Sequence, residues 1–304
     1  MLKLLFNYLI APGLLFSSLV GLYATWVDRK VTAMVQYRKG SPWYQPFADI
    51  LKLLGKETLV PENGALFLFI SAPLFGLAAA ALASTVLLEA NGFIGDLIVV
   101  LYLFTVPSLM IMLGGSASGN PLSAIGTSRE MKLILAYELP FIIAVFTAVL
   151  KSGSIVFSGI TGYQSSHGMI ILSLSGLIAF VVSLLVIQAK LGFVPFDIAE
   201  AEQELMAGPL LEYSGILLAV FKLTKAILYF ALPVFLITIF MGGVVFSSLA
   251  GIIWSIIKYV LILVLIILIK NTSPRIKINQ AVEFFWGPLT ILAAVGFVLA
   301  VIGW

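Results

Sequence analysis

Apolar residues in this chain run in stretches long enough to cross a lipid bilayer, and that constrains the fold before any motif is considered. A helix needs about 20 apolar residues to span roughly 30 Å of hydrocarbon. Eight stretches meet that length, approximately 3–26, 66–88, 94–113, 133–150, 169–189, 215–241, 251–269 and 283–302. Inside hydrocarbon each backbone N–H and C=O has to be satisfied within its own segment, so such stretches are helices. The expected fold class is therefore an all-α polytopic membrane protein of about eight transmembrane helices, forming a single membrane domain over residues 1–304 and surrounded by lipid bilayer. Lys3 ahead of the first run imitates a signal peptide, but the length of the run and the lack of a small-residue cleavage site favour a retained anchor.

Composition narrows the chemistry. Only 10% of the residues are charged, against about 25% in soluble domains, which excludes an ordinary soluble enzyme and a disordered chain. A net charge of +3 is too small to suggest nucleic acid. With no cysteine and one histidine, His167, the chain offers no disulfide, iron–sulfur ligation, haem pair or zinc triad.

Eight spans put both termini on one side. The loops after the odd-numbered spans, approximately 27–65, 114–132, 190–214 and 270–282, carry twelve lysines and arginines, against Lys3 and Lys151 opposite. The positive-inside rule places those loops in the cytoplasm and both termini outside a multi-pass cell-membrane protein. The outer connections at 89–93, 151–168 and 242–250 are short or bland, so function is expected on the inner face.

In the first inner loop Phe47, Ile50, Leu51 and Leu54 fall at helical spacing after Pro46, with Asp49, Lys52 and Lys56 on the other face. This fits an amphipathic helix lying in the interface, or a docking surface. The second loop, 114–121, is too rich in glycine and serine to be helical. Thr127 or Ser128 is expected to cap the next helix, with Glu130 near its positive end. Glu138 then sits inside span four, where an acid is costly and marks either a proton relay or a pairing with an intramembrane lysine.

The third inner loop holds five acids, Asp197, Glu200, Glu202, Glu204 and Glu212, and no base between Phe193 and Gly215. Asp197, Glu200 and Glu204 have the spacing of one helical face. Crowded carboxyls beside a low-dielectric wall are pushed up in pKa, as suits proton transfer. The alternative is a solvated rim paired with Arg29, Arg38 or a partner's arginines. Span six carries Lys222 and Lys225, roughly 10 and 15 Å from its inner end, with Lys225 expected to pair with Glu138. Lys258 in span seven reads equally as an anchor or a relay. Pro107, Pro140 and Pro233 interrupt spans three, four and six.

The run from Val194-Pro195-Phe196-Asp197-Ile198-Ala199-Glu200 through Glu202-Gln203-Glu204-Leu205, followed by Gly208 and Glu212-Tyr213-Ser214-Gly215, resembles the signature loop of the eight-span subunit shared by respiratory complex I and energy-converting membrane-bound NiFe hydrogenases. Arg38-x-Gly40, Gln45-Pro46, Asp49 and Lys52 resemble that family's first inner loop, and Arg275 and Gln280 are compatible with its tail. Three details resemble the hydrogenase branch more closely. The stretch Gly119-Asn120-Pro121 through Ser128-Arg129-Glu130 is similar to formate hydrogenlyase-type subunits, as is the run from Ala199 to Ser214. Only four residues separate Gly40 from Gln45, where complex I subunits have a longer insert, which weakens any transfer of a quinone chamber.

The resemblance implies a subunit with no redox centre of its own. The NiFe site and iron–sulfur clusters would sit on hydrogenase-like large and small peripheral subunits docked on the inner loops, fed indirectly by ferredoxin, with antiporter-like membrane subunits alongside. It assigns proton transfer to Glu138, Asp197, Glu200, Glu202, Glu204 and Glu212, joined here by Lys222 and Lys225. Arg29, Arg38, Gln45, Asp49, Lys52 and Arg129 are expected to seat the peripheral arm. The rival expectations are a quinone-reducing complex I subunit, a sulfur-compound-reducing relative, and a stand-alone secondary transporter, against which the lack of an inverted repeat argues.

Overall fold

A computed structural model describes residues 2–62, 64–88, 94–246 and 248–303, with the side chains of 2–5, 202 and 203 outside the description. The expected outer connection at 89–93 lies outside the described residues. The helices are α1 (Leu2–Leu9), α2 (Leu14–Val35), α3 (Gln45–Leu54), α4 (Leu66–Leu88), α5 (Asp96–Ala117), α6 (Pro121–Ser152), α7 (Phe157–His167), α8 (Leu174–Lys190), α9 (Glu202–Leu205), α10 (Gly215–Phe240), α11 (Leu249–Thr272), α12 (Ile278–Phe284) and α13 (Thr290–Ile302). Short 3₁₀ turns at Ile170–Leu172 and Gly208–Leu210 and a π-helical turn at Phe285–Leu289 complete them, and the described residues contain no strand. Among the described residues seven segments are long and apolar enough to cross a membrane, and α8 is a shorter apolar helix of 17 residues, which is compatible with about eight spans.

Several boundaries differ from expectation. Asn120 and Pro121 start α6 twelve residues before the expected start of span four: Asn120 Oδ1 accepts from Leu122 N (2.9 Å) and Pro121 occupies the first turn. Thr127 and Ser128 are therefore inside the helix and do not cap it. Residues 114–117 are helical as well, as the end of α5, where Gly114 and Gly115 meet a packing requirement and do not break the helix. A Cβ at Gly114 would strike the Tyr213 hydroxyl, and one at Gly126 would come within 2.9 Å of Gly208. The segment 151–168 is not bland either, since it holds α7.

Helix α10 is the axis of the bundle. In its most apolar window 89% of residues are buried, against 22% for the segment containing α13. Phe235 on α10 meets Phe104 of α5 (5.4 Å), Phe141 of α6 (5.8 Å) and Phe157 of α7 (6.2 Å). The far end of α10 has carbonyls that hydrocarbon cannot satisfy. Gln164 of α7 donates to Thr238 O (3.1 Å) and Ile239 O (3.0 Å), and Lys258 of α11 donates to Met241 O. Lys258 is thus a cap at the negative end of a helix dipole, which accounts for it without an anchor or relay role. Asp96 is similarly structural: buried, it accepts from Leu97 N (2.6 Å) and Phe157 N (3.0 Å), tying α5 to the start of α7.

Candidate functional site

The acidic loop after α8 is extended and turned, with α9 as its only α-helical piece, so Asp197 and Glu200 do not share a helical face with Glu204. The reason is local: Gly192 has φ +64°, Pro195 interrupts the backbone donors, and Gln188 Nε2 holds Val194 O at 2.9 Å. Phe196 then plugs the loop into the bundle against Phe285 (4.6 Å) in the π-helical turn.

Bases from other elements meet this loop one by one. Arg275, between α11 and α12, reaches Asp197 (2.7 Å). Lys225 of α10 pairs with both oxygens of Glu200. Arg129 of α6 binds Glu204 (2.6 Å). Asn120, while capping α6, also donates to Glu212. The neighbouring motif residues stitch this loop to the first one: Tyr213 stacks on Phe69 (4.1 Å) and donates to its carbonyl (3.0 Å), and Ser214 Oγ accepts from Leu59 N (2.8 Å). The Glu202 side chain lies outside the described residues.

The expected pairing of Lys225 with Glu138 does not form, because Glu200 occupies Lys225. The partner of Glu138 is Lys190, the last residue of α8, at 2.6 Å. Only 2% of the Lys190 side chain is exposed, and it also stands over the rings of Tyr137 (4.9 Å) and Phe141 (5.1 Å). Counted by sequence as a solvated loop base, Lys190 is an interior one. Its position at the boundary of an apolar run concealed this.

Between the two ion pairs lies a small cavity of about 20 Å³, bordered by Glu130, Lys190, Asp197, Glu200 and Lys225, which is the room of one water molecule. Glu130, expected only as a helix-end charge, is within electrostatic reach of Glu200, Lys225 and Asp197. With α6 starting at Pro121, Glu130 lies inside the bundle, two turns before Glu138. The charged groups thus form a file from Glu200–Lys225 through Glu130 to Lys190–Glu138.

This file opens into a larger cavity of about 470 Å³ among α2, α3, α10 and the acidic loop. Arg29 of α2 binds Asp49 of α3 at its wall (2.8 Å), and Gln45 donates to the same carboxylate (3.0 Å). Burial pushes the Asp49 carboxyl up, but these hydrogen bonds and the charges of Arg29 and Lys222 outweigh it and hold the carboxyl below its usual range. Asp197 goes the other way: burial, aided by Glu200, raises it despite Arg275. On the opposite wall Lys270 of α11 pairs with Asp28 of α2 (2.6 Å) and covers Phe193 (4.6 Å), a pair that no local pattern revealed. Of the expected docking residues, Arg38 and Lys52 are exposed, whereas Arg29, Gln45, Asp49 and Arg129 are engaged within the chain. Helix α3 is amphipathic as expected: Phe47 packs on Tyr23 (5.4 Å), while Leu51 and Leu54 stay exposed.

Such a bundle, with a file of alternating charges behind polar loops, defines a polytopic membrane protein with ionisable groups in its interior. Its relatives specify which kind. The sequence pattern of the NADH dehydrogenase family matches residues 9–301, and the chain belongs to that family. It is 32% identical to an NADH-quinone oxidoreductase subunit of Thermomicrobium roseum, covering 96% of this chain and 94% of that one. It is 33% identical to subunit 8 of the NADH-quinone oxidoreductase of Thermus thermophilus, covering 91% and 80%. Among solved structures it superposes on a chain of the membrane-bound sulfane sulfur reductase, an archaeal respiratory membrane complex, with TM-score 0.86, 31% identity and coverage of 94% and 96%. Its relatives are thus subunits of membrane-bound oxidoreductase complexes, and the family resemblance read from the loops holds.

Proposed function

We propose that this chain is the membrane anchor and coupling subunit of a ferredoxin-linked, hydrogenase-like energy-converting complex. Its polar loops face the cytoplasm and seat a peripheral arm that carries the metal centres, through Arg38, Lys52 and the wall of the large cavity. Electron transfer in that arm changes the charge facing the acidic loop, and protons move along Glu200, Glu130 and Glu138 toward antiporter-like neighbours. Asp197, Glu202, Glu204 and Glu212 gather and orient protons at the mouth, while Lys222, Lys225 and Lys190 set their affinity.

The observation that carries this reading is the file of paired charges from Lys225–Glu200, past the water-sized cavity at Glu130, to Lys190–Glu138. A series of ionisable groups inside an apolar bundle is costly and is the usual mark of an ion path. The likeness to the sulfane sulfur reductase supports the hydrogenase-like branch and leaves its terminal acceptor, protons or a sulfur compound, to experiment. A second reading, quinone reduction, draws on the 470 Å³ cavity beside α3.

Metal content and acceptor use of the complex purified with this chain decide among these. Near one nickel per chain with ferredoxin-driven hydrogen evolution supports the hydrogenase. Iron without nickel, with reduction of a sulfur compound, supports the sulfur branch. Quinone-dependent turnover blocked by tunnel inhibitors overturns both. For coupling, Glu138→Gln in reconstituted vesicles is expected to abolish most ion pumping while the peripheral arm stays bound.

A further inference from the structure

The ends of α2, α10 and α11 remote from the acidic loop enclose a separate recess of about 290 Å³. Helices α2 and α11 are tied to each other at the opposite end, where Lys270 pairs with Asp28 (2.6 Å) and Asn271 donates to Thr32 (3.1 Å). Away from those bonds both helices lean on Phe230 of α10. Phe16 meets it from one side (5.8 Å) and Tyr259 from the other (5.9 Å), and the recess lies between them. Its lining is hydrocarbon, with Val20, Val234, Ile237 and Ile256 completing the walls. Among the described residues only Ser255 and Tyr259 bring polar side chains to it, and both are engaged. The Ser255 hydroxyl accepts from Val245 N (3.0 Å) and donates to Gly251 O (2.8 Å), and Tyr259 donates to Tyr229 O (3.4 Å).

This chemistry selects the occupant by elimination. Water needs several polar partners and finds none, and a polar headgroup would be desolvated without compensation. From Ile252 to Tyr259 the recess follows α11 for roughly 10 Å at 1.5 Å per residue. A volume of about 290 Å³ spread over that length has a cross-section of roughly 30 Å², against about 80 Å² for a helix 10 Å across. A partner's helix therefore cannot enter, and one of its side chains would fill only part of the length, whereas a single extended hydrocarbon chain fits. The bilayer supplies such chains at the mouth. Leu19 of α2 (50% exposed) and Ile256 (56%) and Val260 (46%) of α11 turn outward from segments that are long and apolar enough to span a membrane, so the recess is continuous with the face that meets lipid tails. A gap between apolar walls forfeits dispersion contacts that a chain lying in it restores.

We propose that this recess binds one acyl chain of a membrane phospholipid, which completes the packing of α2 and α11 on α10. The site selects the chain and is indifferent to the headgroup. It is independent of the acceptor the complex reduces and of the ion path, so its test needs no turnover. The intact purified complex is placed in nanodiscs containing phosphatidylcholine with a diazirine at the middle of one chain, irradiated, and the labelled residues mapped by mass spectrometry. Labelling is expected to concentrate on Val20, Val234 and residues 252–259, well above the outward faces of α4 and α13, and phosphatidylglycerol carrying the same chain should give the same map. Ile256→Trp at the mouth and Val20→Phe inside should each weaken labelling about tenfold. Leu261→Trp, on an exposed part of α11 outside the recess, should leave it unchanged. Native mass spectrometry of the assembled complex should count one phospholipid per copy of this chain that survives exchange into mild detergent and is lost in Ile256→Trp. Where a filled variant does not assemble, the wild-type map alone decides. Labelling spread evenly over all outward faces, or unchanged in the filled variants, overturns the proposal. So does a map that changes with the headgroup, or a photoreactive side chain at position 256 that captures a partner subunit and no lipid.

Discussion

The buried Lys190–Glu138 pair shows how one residue carries two burdens. Removing one partner of such a pair leaves an uncompensated charge at a cost of about 3–5 kcal/mol, whereas replacing both is close to neutral. Lys190→Met is therefore expected to lower the stability of the complex by about 3 kcal/mol in thermal unfolding, and adding Glu138→Gln should recover most of that loss. Pumping should stay abolished in the double variant, and full pumping there would remove Glu138 from the relay. Asp49 behaves differently. Its carboxyl is held low, so the stability its pairing with Arg29 supplies is complete above the ordinary carboxylate range and disappears as pH falls through its lowered value. Both partners are partly exposed, which limits the contribution to less than about 1 kcal/mol. Hydrogen-exchange protection over residues 45–54 should fall in the wild type as pH drops below the ordinary carboxylate range, and Asp49→Asn should show the lower protection already at neutral pH. Asp197, raised by burial, instead keeps its proton to a higher pH than an ordinary carboxyl. The acids were legible because their residue type is rare in apolar surroundings. Their partners were not, since Arg129 and Glu204 stand 75 positions apart, and periodicity carries no record of such pairings.

Among the elements, hydropathy located all eight expected stretches and placed the ends of α4 and α10 to within a residue, but misplaced others, and the reasons differ. The Asn120-Pro121 start of α6 carried a readable cap signal that the glycines and serines before it obscured. Of these, Gly114 and Gly115 are small because Tyr213 and Pro209 press against them. Helix α7 was missed because it is short and weakly amphipathic, and is held by tertiary contacts: Asp96 at its start and Gln164 on its inner face. Gln164→Leu would strip the Thr238 and Ile239 carbonyls of their donors and strand Gly242 N, which donates to Gln164 at 2.7 Å. A loss of about 1–3 kcal/mol is expected, with faster hydrogen exchange confined to the end of α10 and the loop after it. Lys258→Met should behave alike, and normal pumping in whatever folded complex it forms would agree with a cap and disagree with a relay.

For the molecule as a whole, burial ranks the helices. Phe235 on the axial α10 touches three other helices through aromatic rings, so Phe235→Ala is expected to cost about 3–5 kcal/mol, visible as loss of assembled complex. The same truncation at Ile291 of α13, 64% exposed, should change stability by far less. The acidic loop has a different consequence. It has no base of its own and obtains one from α6, α10 and the segment before α12 in turn. Natural variation should therefore be written in couplets: a lineage that loses the arginine at 129 should have dispensed with the acid at 204, and positions 197 and 275 should drift together. In this chain the heritable unit of the loop is the bond between distant letters rather than the letters themselves.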